Sequence, residues 1–285
     1  MQKVLVLSVW LLAIPTIFNS CNSVFYQPDS EEFVTPERVE VKFDRQNIET
    51  KDGVKLHLWH MKPAQTTPPS LRKGIIVQFH GNGENMSTHF LSVVWLTAVG
   101  YDVVSFDYRG YGQSGSTKTT RGGCILDGAA VLNWVATQPD LNQLPLFIIG
   151  QSLGGAVAVP VISLEKPKHL KGLILDSTFS SYRTITRNKL GSFWLTWPLQ
   201  WPLSFLVSDE YSPIDYIADL SIPLLSVHAP RDPVVSYDLG KALFDKATSQ
   251  DKIFWNVNLG GHIAAFAYEN SRYRDQLVDW MDKRL

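Results

Sequence analysis

Short apolar runs alternate with helical patterns along most of this chain, and the alternation leaves few folds open to it. Six apolar runs are each bounded by glycine, proline or polar turn residues, at 74–79, 102–106, 145–149, 173–175, 223–227 and 252–257. Helical patterns separate them, at about 85–98, 126–138, 152–164, 236–248 and 263–284. Near-continuous apolar strands that alternate with helices are typical of a parallel sheet with helices on both faces. The sequence therefore predicts an α/β fold around a mostly parallel sheet.

Two parts of the chain depart from this alternation. Arg38 to Trp59 alternates apolar and polar residues around the turn Lys51-Asp52-Gly53, which predicts an antiparallel pair at one edge of the sheet. Residues 177–221 form an insertion between two predicted strands that is too long for a plain connection, so we expect a lid. We assign residues 38–285 to one domain that contains this lid.

The lid insertion is rich in aromatic residues. Trp194, Trp197 and Trp201 recur at helical spacing. Pro198 and Pro202 follow two of them, and the residue before a proline avoids helical geometry, which predicts short broken helices. Two interpretations stay open here. The aromatic side chains either pack onto the domain, or form an apolar wall for an acyl chain or a surface that touches a membrane.

The first twenty residues differ from the rest and are predicted to be a signal segment. Val4 to Phe18 carries no charge, is shorter than the roughly 20 residues that span a bilayer, and follows the positive charge of Lys3. Cys21 comes directly after Ser20, which favours a lipoprotein signal over residues 1–20, lipidation of Cys21 and a membrane of a bacterial cell envelope. An ordinary secretory signal, giving a secreted or periplasmic protein, and an uncleaved anchor are the alternatives. We expect residues 22–37 to form a tether or N-terminal arm.

Charge and cysteine content exclude several classes of function. The 26 basic and 27 acidic side chains leave a net charge of −1, which argues against a nucleic-acid partner. Cys21 and Cys124 are the only cysteines and no His-Glu-x-x-His motif occurs, so we expect neither a disulfide framework nor a metal site. Gly110 to Gly115 matches G-x-G-x-x-G, but a polar loop follows it instead of a helix, so we expect no dinucleotide cofactor. The oligomeric state stays open.

The segment Gly150-Gln151-Ser152-Leu153-Gly154-Gly155 joins an apolar strand to a helix. G-x-S-x-G in this position is typical of a nucleophile elbow. The glycines let strand and helix backbones pass close together, and the helix N-terminus favours developing negative charge. We therefore predict that Ser152 is a catalytic nucleophile.

A nucleophilic serine needs a base, and the base needs an acid that orients it. His262 follows the last apolar strand and precedes the last helical pattern, where a loop histidine can lie over the sheet, so we predict it as the base. Among the other histidines, His60, His89 and His169 lie in segments that we expect at the surface. Asp232 and Asp176 each follow a strand and compete for the role of acid. We favour Asp232 because it lies in a compact turn between two prolines.

The chain order Ser152, Asp232, His262 is that of α/β hydrolases, and differs from the orders in chymotrypsin and subtilisin. Over about residues 40–283 the chain resembles this family, and is similar to its serine aminopeptidase-like, monoacylglycerol lipase-like and lysophospholipase-like branch. Four blocks carry the resemblance, at 80–85, 107–114, 150–155 and 228–235. It implies the α/β-hydrolase fold and an oxyanion hole made by the backbone N–H groups of Asn82 and Leu153.

These observations predict a serine hydrolase that needs no cofactor. The expected reaction is cleavage of the acyl ester of a small, lipid-like molecule through an acyl-enzyme. A peptidase or amidase is the first alternative, with Glu84, Asp209 or Glu210 as the anchor for a peptide terminus. A noncatalytic binding protein of the envelope, built on the same fold, is the second.

Overall fold

Eight strands form one central sheet in the computed structural model, which describes residues 25–63, 72–115, 118–258, 261–268 and 271–285. They are β1 (Phe43–Glu49), β2 (Lys55–Met61), β3 (Gly74–Phe79), β4 (Tyr101–Phe106), β5 (Leu146–Gln151), β6 (Leu170–Asp176), β7 (Leu224–His228) and β8 (Lys252–Asn256). Their order across the sheet is β1-β2-β4-β3-β5-β6-β7-β8. β2 is antiparallel to both β1 and β4, and all other neighbours are parallel. The predicted α/β-hydrolase fold, with an antiparallel pair at one edge, is confirmed.

The apolar runs are continuous because both faces of the central strands are buried. Every residue of β3, β4 and β5 is buried. Alternate side chains enter opposite layers: Ile75 and Val77 belong to one core cluster, and Ile76 belongs to the other. A strand that is buried on both faces has no position for a solvated polar residue, which explains the continuous apolar runs in the sequence.

Seven α-helices accompany the sheet in the described chain. They are α1 (Met86–His89), α2 (Arg121–Thr137), α3 (Leu153–Glu165), α4 (Tyr182–Gly191), α5 (Gln200–Ser204), α6 (Tyr237–Lys246) and α7 (Arg272–Asp282). Within the described residues, no helix is long and apolar enough to cross a membrane. The predicted signal segment 1–20 and Cys21 lie outside the described residues.

Two predicted helices differ from the structure. After α1, the pattern at 85–98 continues only as two 3-10 segments, Phe90–Ser92 and Val94–Val99. The last helix begins at Arg272 and not at 263, because Ile263 has a left-handed φ of 57° that a right-handed helix cannot contain. Ser271 instead caps the helix, its hydroxyl accepting a hydrogen bond from the N–H of Tyr273 at 3.3 Å.

The lid insertion contains only short helices, as its prolines predicted: α4, α5 and 3-10 turns at Trp197–Leu199, Pro213–Asp215 and Ile217–Asp219. Its three tryptophans do not pack onto the domain. Trp194, Trp197 and Trp201 are exposed by 79%, 60% and 55%. The interpretation that these aromatics cover the domain is therefore wrong.

Candidate active site

Ser152 lies at a sharp turn between β5 and α3. Its φ of 51° and ψ of −115° are outside the regions that a residue with a side chain prefers, at a cost of about 1–3 kcal/mol. The turn is held by a hydrogen bond from the N–H of Ser152 to the carbonyl oxygen of Asp176, at 2.8 Å. The structure therefore has the strained backbone that the sequence predicts at this strand-to-helix turn.

The glycines around Ser152 are required by close backbone contacts. A Cβ at Gly150 would lie 2.5 Å from the Cα of Gly155. A Cβ at Gly154 would collide with the carbonyl oxygen of Phe79, the last residue of β3. The predicted close passage of strand and helix is confirmed. It brings the N-terminus of α3 against the loop that follows β3.

His262 and Asp232 are joined by a short hydrogen bond. The Nδ1–H of His262 donates to Oδ2 of Asp232 at 2.7 Å. Oδ1 of the same carboxylate accepts from the N–H groups of Val234 and Val235, at 2.8 and 2.9 Å. Burial raises the pKa of Asp232, but these hydrogen bonds outweigh burial, so the pKa lies below its usual value. Asp232 is thus an anion at neutral pH, and its charge fixes the tautomer and direction of the imidazole.

Asp176, the competing acid, has a different environment. Its side chain is buried, and Oδ1 accepts a hydrogen bond from the Ser177 hydroxyl at 3.3 Å. Burial raises the pKa of this carboxyl to about 7. The Ser177 oxygen also accepts from the N–H of Ile263 at 3.4 Å, which ties the His262 loop to the end of β6. Of the two candidate acids, the structure brings Asp232 to His262.

The proposed oxyanion donors lie on two neighbouring elements. Leu153 is the first residue of α3, where a backbone N–H has no acceptor within the helix. Asn82 follows β3, in a loop that includes left-handed φ values of 80° at Gly83 and 49° at Glu84. Because a Cβ at Gly154 would collide with the carbonyl oxygen of Phe79, the start of this loop lies directly against α3. The two predicted donors therefore lie on elements that meet at the carboxyl end of β3, as an oxyanion hole requires.

Comparison with known proteins identifies the family of this chain. A family model described as "Serine aminopeptidase, S33" matches residues 70–210. The uncharacterized protein YfhR of Escherichia coli strain K12 is 33% identical over 262 residues, which cover 90% of this chain and 86% of YfhR. The chain belongs to the α/β-hydrolase family that contains YfhR. It is therefore a hydrolase by family.

Two further members of the superfamily are similar to this hydrolase. Lysophosphatidylserine lipase ABHD12 of Danio rerio is 28% identical over 294 residues, covering 90% of this chain and 75% of the lipase. The crystal structure of Pyrococcus furiosus esterase Pf2001 superposes with a TM-score of 0.74 at 21% identity, covering 91% of this chain and 98% of the esterase. At this identity, the likeness to esterase Pf2001 shows a shared fold.

The N-terminal arm takes part in the site, which the sequence did not reveal. Residues 25–33 run across the loop after β3. Oδ1 of Asn82 accepts hydrogen bonds from the Gln27 N–H and the Tyr111 hydroxyl, both at 2.8 Å. Nδ2 of Asn85 donates to the carbonyl oxygens of Asp29 and Glu31 at 3.0 and 2.6 Å. The described part of residues 22–37 is thus an arm on the domain, and the Asn82 side chain anchors the loop to it.

The G-x-G-x-x-G segment forms a turn that supports the same loop. Oδ1 of Asp107 accepts from the N–H of Met86 at 2.8 Å, and a Cβ at Gly112 would collide with this carboxylate. Nε of Arg109 donates to Asp127 at 2.9 Å, which fixes the turn to α2. Since α2 begins only at Arg121, the motif does not open a helix as a dinucleotide site requires.

Two further histidines, His60 and His80, have structural partners. His60 is buried, and its Nε2 lies 2.6 Å from Oδ1 of Asp102. The expectation that His60 is at the surface is therefore wrong. His80 is buried, donates from Nδ1 to the Gly81 carbonyl oxygen at 2.8 Å, and has a pKa lowered to about 3 by burial.

Cys124 is buried in the core. In the part of the chain that is described, no group of three or more His, Cys, Asp or Glu side chains could hold a metal ion.

Proposed function

We propose that this hydrolase cleaves carboxylic esters of an acyl chain with Ser152 as nucleophile, His262 as general base and Asp232 as the orienting acid. The observation that carries the proposal is the 2.7 Å hydrogen bond between His262 and Asp232, at the sheet edge where the strained elbow presents Ser152. The three residues follow β5, β7 and β8, and these strands are parallel, so all three lie at their carboxyl ends. Open α/β sheets bind ligands at this edge.

The hydrogen bond determines how the proton moves. Because Nδ1 of His262 donates to Asp232, Nε2 is the nitrogen that takes the proton from the Ser152 hydroxyl during attack. The tetrahedral oxyanion is stabilised by the N–H groups of Asn82 and Leu153, at about 3–4 kcal/mol for each donor. His262 then protonates the leaving alcohol. A water molecule, deprotonated by His262, releases the acyl group from Ser152 and regenerates the enzyme.

The substrate we propose is a lipid-like ester such as a lysophospholipid. The exposed aromatic lid offers apolar contact to an acyl chain, and the name of the similar Danio rerio lipase points to this substrate class. Ester cleavage of a lipid-like substrate therefore fits the apolar character of the lid.

Aminopeptidase or amidase activity is the second candidate, because the matching family model carries that description. One proposed anchor for a peptide terminus is already engaged: Oδ1 of Asp209 accepts from the Arg183 N–H at 2.9 Å and from the Ser212 hydroxyl at 2.8 Å. Glu84 and Glu210 are exposed and remain available. The ester is favoured because residues 190–207, the aromatic part of the lid, contain no charged side chain that could bind a charged terminus.

A substrate panel tests this assignment. Purified protein is given p-nitrophenyl esters of short and long acyl chains, lysophospholipids with several head groups, and aminoacyl p-nitroanilides. We expect a higher kcat/KM for the esters than for any anilide. Faster cleavage of anilides would assign the protein to the peptidases, and absence of fluorophosphonate labelling of the folded protein would support a noncatalytic binding protein.

The Asn82 side chain should position the oxyanion loop, and its removal is a separate prediction. Asn82→Ala loses two hydrogen bonds of about 1 kcal/mol each, so kcat on a p-nitrophenyl ester should fall about 10- to 30-fold with a smaller change in KM. Tyr111→Phe loses the hydroxyl's bonds to Asn82 and to the Gln27 N–H but keeps the bond from the Gln27 N–H to Asn82, so its kcat should fall less. Unchanged kcat in Asn82→Ala would show that the arm does not position this loop.

We also propose that Cys21 carries a lipid at a membrane of the bacterial envelope. The proposal is supported by the uncharged segment Val4 to Phe18 before this cysteine. In cells, Cys21→Ser should lose palmitate labelling, and globomycin should block processing of the unaltered chain. A soluble, shortened protein in both forms would indicate an ordinary secretory signal. A full-length membrane protein in both would indicate an uncleaved anchor.

A further inference from the structure

The lid carries a concentrated apolar surface. Eight of the fourteen residues 193–206 are large apolar side chains that are exposed by between 39% and 79%. Seven other exposed large apolar side chains are scattered over the rest of the described chain. We call residues 193–206 the apolar lid surface. A contiguous apolar patch of this kind marks an interaction site, because water-exposed apolar area on this scale is unfavourable in a free soluble domain.

The composition of the apolar lid surface fits a lipid bilayer. Residues 190–207 contain no charged side chain, and three of the eight exposed apolar residues are tryptophans, which concentrate at the level of lipid head groups. Basic residues flank it on α4. The Arg187 guanidinium lies 3.7 Å from the ring centroid of Trp201, and that of Arg183 lies 5.5 Å from the ring of Phe205. Aromatic residues beside such cations suit the boundary between acyl chains and phosphates.

The position of the N-terminal arm points to the same face. Phe25, the first residue described, packs edge to face on Tyr182, the first residue of α4, with ring centroids 5.2 Å apart. The Arg121 guanidinium covers both rings, at 5.3 Å and 3.9 Å from their centroids. Phe25 lies four positions after Cys21, a stretch that can reach at most about 14 Å. A membrane that holds the N-terminal segment therefore lies close to the base of the lid.

We propose that the apolar lid surface inserts into the membrane that holds the N-terminal segment, with its tryptophans at the boundary between head groups and acyl chains. Two independent features support one orientation: an uncharged aromatic surface and the point where the chain leaves the domain. The lid follows β6, so the carboxyl edge of the sheet faces the bilayer. The inference rests on the proposed attachment of the N-terminal segment to a membrane, and not on the chemistry of Ser152.

Depth-dependent quenching of a fluorescent amino acid tests the insertion. The full chain, with its N-terminal segment, is reconstituted into phosphatidylcholine vesicles that do or do not carry bromine on the acyl chains. The fluorescent residue replaces Leu195 of the lid or Leu164 near the end of α3, which are exposed by 59% and 52%. Since α3 starts at the carboxyl edge and runs back along the sheet, Leu164 lies at the opposite edge and is a matched control.

We expect brominated lipid to quench the probe at position 195 severalfold and to leave the probe at position 164 unchanged. Trp194→Ser combined with Trp201→Ser should reduce the quenching at 195, while circular dichroism stays that of the unaltered chain. Equal, weak quenching at both positions in vesicle-bound protein would overturn the proposal. A dimer in solution would also overturn the proposal if the probe at position 195 were shielded from water in the absence of vesicles. A second copy of the chain would then cover this surface.

Discussion

Ser152→Ala should abolish ester hydrolysis, with kcat on a p-nitrophenyl ester falling by about 10⁴- to 10⁶-fold. Alanine removes the only atom that forms the acyl-enzyme, whereas the proposed oxyanion donors on Asn82 and Leu153 stay in place. The residual rate should therefore still exceed the uncatalysed one. Steady-state kinetics and labelling by a fluorophosphonate probe measure the two consequences, and both should be lost together.

The stability of this variant should change little. Ser152 has the strained φ of 51°, and alanine in its place would bear the same strain, so the free energy of unfolding should stay within about 1 kcal/mol. Ser163→Ala is a matched control. Ser163 lies on α3, the helix that begins after Ser152, and its hydroxyl donates a hydrogen bond to Oδ2 of Asp219 at 3.2 Å, away from the site. It should keep full activity. Turnover and labelling that persist in Ser152→Ala would remove the proposed nucleophile.

The second large effect should distinguish the two candidate acids. Asp232→Asn should lower kcat/KM by about 10³- to 10⁴-fold, because an amide in place of the anion no longer holds the imidazole with Nδ1 protonated. Asp176→Asn should lower it much less, since Asp176 does not bond His262 in the structure. The same ester assay, run on both variants, measures the difference. A larger loss in Asp176→Asn would move the role of acid to β6.

Stability against pH gives Asp176→Asn an independent readout. Burial raises the pKa of Asp176 to about 7, against about 4 in an unfolded chain, so the folded state holds a proton that the unfolded state releases. The contribution of this carboxyl to stability is therefore present below about pH 4 and is lost as the pH rises through about 7. An amide in its place cannot titrate. Denaturant unfolding of Asp176→Asn should accordingly lose less stability across this pH range than that of the unaltered chain.

Local patterns accounted for the parts of the fold that depend on neighbours in sequence. Apolar runs such as 74–79 predicted buried strands, and G-x-S-x-G predicted the strained turn with glycines at the close approach of β5, α3 and β3. Prolines 198 and 202 predicted the broken helices of the lid. The predicted helix from 263 failed, because the left-handed φ of Ile263 belongs to the loop that carries His262 and has no periodic signature.

What the sequence alone determined is the order of strands and helices, the class of fold and a short set of residues able to perform serine chemistry, because strand periodicity and turn chemistry are local. Tertiary structure decided which acid meets His262, since Asp176 at the end of β6 and Asp232 after β7 were both candidates and only Asp232 bonds the imidazole. It also decided that the arm anchors Asn82 and that the lid tryptophans face outward. These outcomes depend on contacts between distant segments, which no local pattern encodes.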